Sequence, residues 1–392
     1  MSKFNALIVA LMWPLLIMLA SCAFAQPADT LAAPNQRPAS DGPPGNLTAT
    51  TEPTPATAPE FQPSQIVQPP ATYTAAAPIA PGPVNTQAPP VDDNLVSPTQ
   101  APSPEPYAGL FVDDLVRREY GGGLLEIIDT LEVNDSFTRY LITYPSDGLT
   151  IYGFMNVPNE GSHFPVVIAL HGYVDPGQYR TLDYTTRYAD HLAEAGYFVI
   201  HPNMRGFPPS DEGNSAYRVG LAVDVLNLIA IIREQSQDPT GYLRRADTDD
   251  INLWGHSMGG GVALRVITVD NSPYIRSAVL YGAMSGDERQ NYEKIKVWSN
   301  GEVGDFELAA SPALLKAISP INHLDRVNTA VSIHHGQADD VVPPEWSDDL
   351  CRRLQGRQIE VECYVYEGMP HTFRGANDTL FMDRTVAFFD KH

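Results

Sequence analysis

The sequence predicts an α/β fold in which a mostly parallel central sheet carries helices on both faces and a short cap insertion. Three observations predict it. Phe164-Pro165-Val166-Val167-Ile168-Ala169-Leu170 is a continuous apolar run, as a central parallel strand buried on both faces requires. Runs of this kind alternate with stretches of helical spacing. Finally, Ile251-Asn252-Leu253-Trp254 runs through Gly255-His256-Ser257-Met258-Gly259 into the helical Gly260-Gly261-Val262-Ala263-Leu264. A G-x-S-x-G turn between strand and helix forces its serine into a strained corner and lifts the hydroxyl clear of the sheet. The competing reading of such a turn is a glycine-rich packing corner.

The elements follow in order. Residues 136–144 and 149–157 form two strands around the turn Pro145-Ser146-Asp147-Gly148, an antiparallel start to the sheet. After the Leu170 strand, residues 184–195 have helical spacing, Gly196 stops them, and residues 197–202 make the next strand. Residues 219–234 read as a long amphipathic helix and residues 276–282 as the strand after the serine helix. From 283 to 317 the pattern loosens, with Lys294, Lys296 and Trp298 set among Gly301 and Gly304, and this is the cap insertion. Residues 331–336 and 361–366 are further strands, and a last helix spans residues 379–389.

A nucleophilic serine needs a base, a group to orient that base, and N–H donors for the oxyanion. Each has a candidate. Ser257 is the nucleophile. The turn Gln337-Ala338-Asp339-Asp340 leaves the end of the 331–336 strand and offers a carboxylate. Glycine and proline in Glu367-Gly368-Met369-Pro370-His371-Thr372-Phe373 mark a loop that presents His371. The order Ser, Asp, His is that of the α/β-hydrolase fold, which also takes one oxyanion donor from the N–H of the residue after the serine, Met258, and one from the loop at His171-Gly172-Tyr173. His171 itself reads as structural.

From about residue 141 to the C-terminus the chain resembles an α/β-hydrolase of the prolyl oligopeptidase and dienelactone hydrolase group. The resemblance rests on His171-Gly172, Arg205-Gly206, Gly255 to Gly260, Ser319-Pro320-Ile321, His335 to Pro343, and Tyr366 to Phe373. It implies a serine hydrolase and selects Asp339 over Asp340, because the family's aspartate stands three residues after the glycine. It also places Tyr173 in the oxyanion hole, through the phenol as in prolyl oligopeptidases or through the backbone N–H as in esterase relatives. A tyrosine that merely covers the loop is the structural alternative.

Other residues have ordinary readings. His334 and His335 lack any convincing metal-ligand spacing and read, like His201 and His256, as packing residues, so no metal and no cofactor is expected. Asp224 faces one side of a helix, and Asp249 with Asp250 forms a turn. The net charge of -22 excludes nucleic acid and anionic lipid as partners, since phosphate binding needs a basic face.

Residues 1–22 read as a signal peptide: one lysine, an apolar stretch, then Leu19-Ala20-Ser21-Cys22, which resembles a bacterial lipobox with Cys22 as the lipidated residue. Ala23-Phe24-Ala25 is a second cleavage site that would release the protein instead. Residues 23–107 are a Pro/Ala/Thr-rich linker too poor in bulky apolar residues to offset ordering entropy, and residues 108–392 are the catalytic domain. Membrane contact is thus expected only through the N-terminal lipid, outside the cytoplasm. Cys351 and Cys363 sit on neighbouring elements, either bonded or as two buried thiols.

The expected activity is acyl transfer through an ester on Ser257, with a small-molecule or polymer-attached acyl substrate. Prolyl oligopeptidases carry a propeller that this chain has no room for, so an ester is favoured over a peptide. Other outcomes are an acyltransferase and, from a different class, a surface binding module on an inactive hydrolase fold.

Overall fold

The computed structural model describes residues 106–392. The signal peptide, Cys22 and nearly all of the Pro/Ala/Thr-rich stretch lie outside these residues. Tyr107, assigned to that stretch, already belongs to the folded unit, where its ring stacks on Phe306 at 5.1 Å.

The elements run α1 (Val112–Arg117), β1 (Glu126–Val133), β2 (Phe137–Ser146), β3 (Leu149–Pro158), β4 (Phe164–Leu170), α2 (Thr186–Glu194), β5 (Phe198–Pro202), α3 (Val219–Gln235), β6 (Ala246–His256), α4 (Met258–Val269) and β7 (Ile275–Tyr281). They continue with α5 (Glu288–Trp298), α6 (Asp305–Leu308), α7 (Pro312–Ile318), β8 (Ala330–Gly336), α8 (Pro344–Gln355), β9 (Val361–Tyr366) and α9 (Ala376–Lys391). Nine strands form one sheet in the order β1-β2-β3-β5-β4-β6-β7-β8-β9. The first three are antiparallel, β3 meets β5 antiparallel, and every pairing from β5 to β9 is parallel. The parallel strands all end on one rim, and the loops that carry the site leave from it.

Two elements depart from the sequence reading. β1 is an extra strand at the sheet edge, exposed along nearly its whole length, with two irregularities in its register and Glu126, Asp129 and Glu132 along it. A strand that buries neither face has no hydrophobic period to read, and charges and bulges are how edges resist further pairing. α3 is not amphipathic: it is buried almost all round, from Val219 to Ile232. Its outer side is crossed by residues 121–125, where the Gly121 N–H donates to Asn227 Oδ1 (3.0 Å) and the Leu125 N–H to Gln235 Oε1 (2.7 Å). Both faces are then covered, and the helix is buried around nearly its whole circumference, its buried Asp224 and Asn227 included. Asp224 on this helix is fully buried and binds the guanidinium and the N–H of Arg205, so the Arg205-Gly206 motif ties β5 to α3.

The cap insertion, α5 to α7, is fixed by a buried ion cluster. The Glu288 carboxylate at the start of α5 receives Arg265 from α4 and Arg218 from the loop before α3. Its backbone N–H donates to Ser319 Oγ (3.0 Å), which gives the Ser319-Pro320-Ile321 motif its role. Without that carboxylate two buried guanidiniums would lose their counter-charge, at a cost of roughly 3–5 kcal/mol.

Cys351 on α8 and Cys363 on β9 are joined by a disulfide across a separation of 12 residues. Closing a loop of this length constrains the unfolded chain by about 3 kcal/mol. The Cys363→Ser variant is expected to lose about that much stability, read as a lower denaturant midpoint at nearly constant slope. An unchanged midpoint would show that the bond does not form in solution.

Candidate active site

Strand β6 ends at His256, and the chain turns at Ser257 with φ 55° and ψ -115° before α4 begins. This left-handed conformation costs a non-glycine residue about 1–3 kcal/mol, so the surroundings must impose it. The neighbouring glycines do so by close approach. A Cβ on Gly255 would lie 2.4 Å from the Gly259 carbonyl oxygen, one on Gly259 would lie 2.2 Å from the Leu170 carbonyl oxygen, and one on Gly260 would lie 2.5 Å from Ala283 Cβ. The corner is also tied by hydrogen bonds, with the Ser257 N–H donating to the Tyr281 carbonyl (2.9 Å) and the Met284 N–H donating to the Ser257 carbonyl (3.0 Å). Ser257 is half-buried between the buried His256 and Met258, at the N-terminus of α4.

The carboxylate in the loop after β8 belongs to Asp339. Its Oδ1 accepts the N–H groups of Val341 and Val342, both at 2.9 Å. Its Oδ2 accepts from His371 Nδ1 at 2.7 Å and faces His335 Nε2 at 3.0 Å. Asp340 is exposed. Burial pushes the Asp339 pKa up, but His335, His371 and the Val342 amide outweigh it and hold the carboxyl well below the usual carboxylate range.

His371 stands on the loop between β9 and α9. Gly368 takes a positive φ of 66° there, and the Met369 carbonyl accepts the Ala338 N–H at 3.0 Å, which fastens this loop to that of Asp339. Two residues on, Phe373 is fully buried against Tyr281, Tyr366 and Phe381, a contribution of about 2 kcal/mol that anchors the loop. No hydrogen bond joins Ser257 to His371 among the described residues; such bonds tighten when substrate enters. The two residues are linked through His256, whose Nε2 lies 3.0 Å from the His371 carbonyl and whose ring lies 4.6 Å from the His371 ring.

On the other side of Ser257, a Cβ on Gly172 would sit 3.1 Å from Ser257 Cβ, so the loop after β4 passes directly over the corner. The N–H groups of Tyr173 and Met258 have no hydrogen-bond acceptor among the described residues. Tyr173 is 66% exposed, with its ring edge-on to Phe207 at 6.2 Å. His171 is buried, with Nε2 2.7 Å from the Asn203 carbonyl.

Two residues that the sequence leaves as packing do more. His335 faces Asp339, and the i,i+4 spacing within His335-Gly336-Gln337-Ala338-Asp339 is the signal that could have found it. His256 bridges two loops. His334 is the packing residue it was read as, bonded to Ser332 and Tyr366. Among the described residues no group of three or more His, Cys, Asp or Glu is placed to hold a metal.

The fold and the sequence family together define a serine hydrolase. Residues 183–392 match the model of the prolyl oligopeptidase family, and the chain belongs to that family. Solved structures share the fold at low identity. Acetyl xylan esterase 1 from Thermoanaerobacterium sp. is 18% identical with a TM-score of 0.54, over 70% of this chain and 93% of its own. A puromycin-hydrolyzing peptidase of Mycobacterium tuberculosis is 21% identical with a TM-score of 0.52, over 66% of this chain and 40% of its own. The acylaminoacyl peptidase of Pyrococcus horikoshii is 22% identical with a TM-score of 0.50, over 66% and 42%.

Burial lowers the pKa of His171, His201, His256 and His334 below the ordinary 6.5. The unfolded chain therefore takes up more protons than the native one as pH falls below 6.5, and the stability these groups contribute, complete above that value, is lost progressively below it. Asp339, held below 3.8, adds a loss at lower pH; Asp224 and Asp250, pushed upward by burial, act in the opposite sense. The melting temperature is expected to fall from about pH 6.5 to about pH 4.5. A flat profile across that range would contradict four buried neutral histidines.

Proposed function

We propose that the protein is a carboxylic ester hydrolase that forms an acyl-enzyme on Ser257. The observation that carries this reading is the Asp339–His371 hydrogen bond of 2.7 Å beside a serine held at positive φ. Ser257 Oγ attacks the ester carbonyl carbon while His371 Nε2 takes the hydroxyl proton. Asp339 keeps the His371 Nδ1–H in place and stabilises the imidazolium. The tetrahedral oxyanion accepts the N–H groups of Tyr173 and Met258 and is further favoured by the α4 N-terminus. Collapse expels the alcohol, which leaves with the proton from His371. Water, deprotonated by His371, then releases the acid and restores Ser257.

An ester is favoured because the chain covers 93% of an acetyl xylan esterase, against 40% and 42% of the two peptidases. Peptidase activity is the second reading, supported by the family itself and by those two likenesses. A fluorophosphonate probe is expected to label Ser257, located by mass spectrometry. Ser257→Ala should lower kcat by roughly a million-fold and Asp339→Asn by roughly ten-thousand-fold. A panel of p-nitrophenyl esters against aminoacyl-nitroanilides decides between the readings, and turnover of anilides alone would reverse the preference. Label on another residue would end the assignment.

We also propose export, with the lipid anchor on Cys22 and the preceding signal peptide removed. The Cys351–Cys363 disulfide supports an oxidising compartment. The mature protein should begin at a diacylglyceryl-modified Cys22, visible as an N-terminal mass shift. A mature chain beginning at Gln26 would instead mean release.

A further inference from the structure

Three hydrogen bonds in series pass beside Ser257 and join the loop after β4 to the loop of His371. The Gly172 N–H donates to Tyr184 Oη at 2.6 Å, Tyr184 Oη lies 3.0 Å from His256 Nδ1, and His256 Nε2 lies 3.0 Å from the His371 carbonyl oxygen. The two ends dictate every proton between them. An amide N–H only donates and a carbonyl oxygen only accepts, so the phenol must donate to Nδ1 and His256 must carry its proton on Nε2. Burial, reinforced by the adjacent His371, lowers the His256 pKa to about 3, so the imidazole stays neutral and the order of the chain is preserved at neutral pH.

We infer that Tyr184 and His256 are positioning residues that hold the oxyanion loop and the base in a fixed relation across Ser257. The inference rests on the serine hydrolase reading of Ser257 and His371. The Gly172 N–H belongs to the peptide unit just before that of the Tyr173 N–H, whose Gly172 carbonyl itself lies 2.7 Å from His171 Nδ1, so anchoring the Gly172 amide limits the rotation left to the Tyr173 N–H. At the far end, the His371 carbonyl belongs to the backbone from which the catalytic imidazole hangs. There is no slack in between, because a Cβ on Gly172 would lie 2.5 Å from Tyr184 Oη and 3.4 Å from His256 Nδ1. Removing the phenol hydroxyl breaks both ends at once. The Gly172 N–H loses its acceptor, and His256 loses the donor that fixed its tautomer, so it is free to turn a lone pair toward the His371 carbonyl. Misplacing reacting groups by about 1 Å costs as much as a hundred-fold in rate.

The test compares the wild-type protein with Tyr184→Phe, His256→Gln, His256→Leu and the Tyr184→Phe/His256→Gln double variant, on the best p-nitrophenyl ester and by rate of fluorophosphonate labelling. Tyr184→Phe should lower kcat roughly 10- to 100-fold with KM changed by less than about twofold and little change in melting temperature. His256→Gln, which keeps an N–H where Nε2–H stood, should retain more activity than His256→Leu. The double variant should lose no more than the worse single one, since the two residues act as one unit. Long-range proton–nitrogen spectra of wild-type protein should show His256 as the Nε2–H tautomer. Wild-type kcat in Tyr184→Phe, a loss confined to KM, equal activity of the Gln and Leu variants, or an Nδ1–H tautomer would each overturn the relay. A wild-type protein that neither turns over esters nor takes the label would defeat the hydrolase reading instead, and the tautomer spectrum would still decide the relay.

Discussion

The structure depends on the close approach of backbones around Ser257. Strand β6 can turn into α4 within one residue only because Gly255, Gly259 and Gly260 carry no side chains where the Gly259 carbonyl, the Leu170 carbonyl and Ala283 press in. The positive φ of the serine is the geometric result. The corner decides the rest of the rim: it aims the first turn of α4 at the site, sets the loop after β4 directly above the serine, and fixes the start of the cap insertion below it. Strain at one residue is sustained by a sheet whose central parallel strands are buried on both faces.

Electrostatics at the site are local. The chain carries a net charge of -22, yet Asp339 is stabilised by groups within hydrogen-bond reach: two amides, His371 and His335. Surface charges beyond about 10 Å are screened, whereas a desolvated carboxylate with several donors stays ionised over the working range. The histidines packed behind the site are kept neutral by burial. Neutrality matters most for His256, because a charge there would oppose the imidazolium that His371 would become in the proposed acyl transfer.

The cap insertion is held by charge where the sheet is held by apolar packing. Glu288 between Arg218 and Arg265 places α5 against α4 and against the loop before α3. Such a cluster is a poor source of net stability, since desolvation offsets most of the attraction, but it is demanding in geometry. Its directional bonds set where α5 begins, at Glu288, four residues after the Met284 whose N–H donates to the Ser257 carbonyl.

How much could be read from the sequence follows from how local each constraint is. Ser257, Asp339 and His371 each lie in a short turn marked by glycine or proline, and the sequence alone marked the β2–β3 hairpin, the buried run of β4, the corner after β6 and the loops that carry these residues. The register of the acid was visible only through family resemblance, and burial of the Asp339 side chain beside an exposed Asp340 is a property of the folded loop. β1 was hidden because an exposed edge strand leaves no period, and α3 was misread because the segment covering its outer face lies about a hundred residues away, with Leu125 and Gln235 separated by 110. Only the tertiary structure brought Tyr184 to His256, 72 residues apart. The physical reason is that turns and periods are dictated by neighbours in the chain, whereas a hydrogen bond between distant side chains is dictated by how whole elements pack.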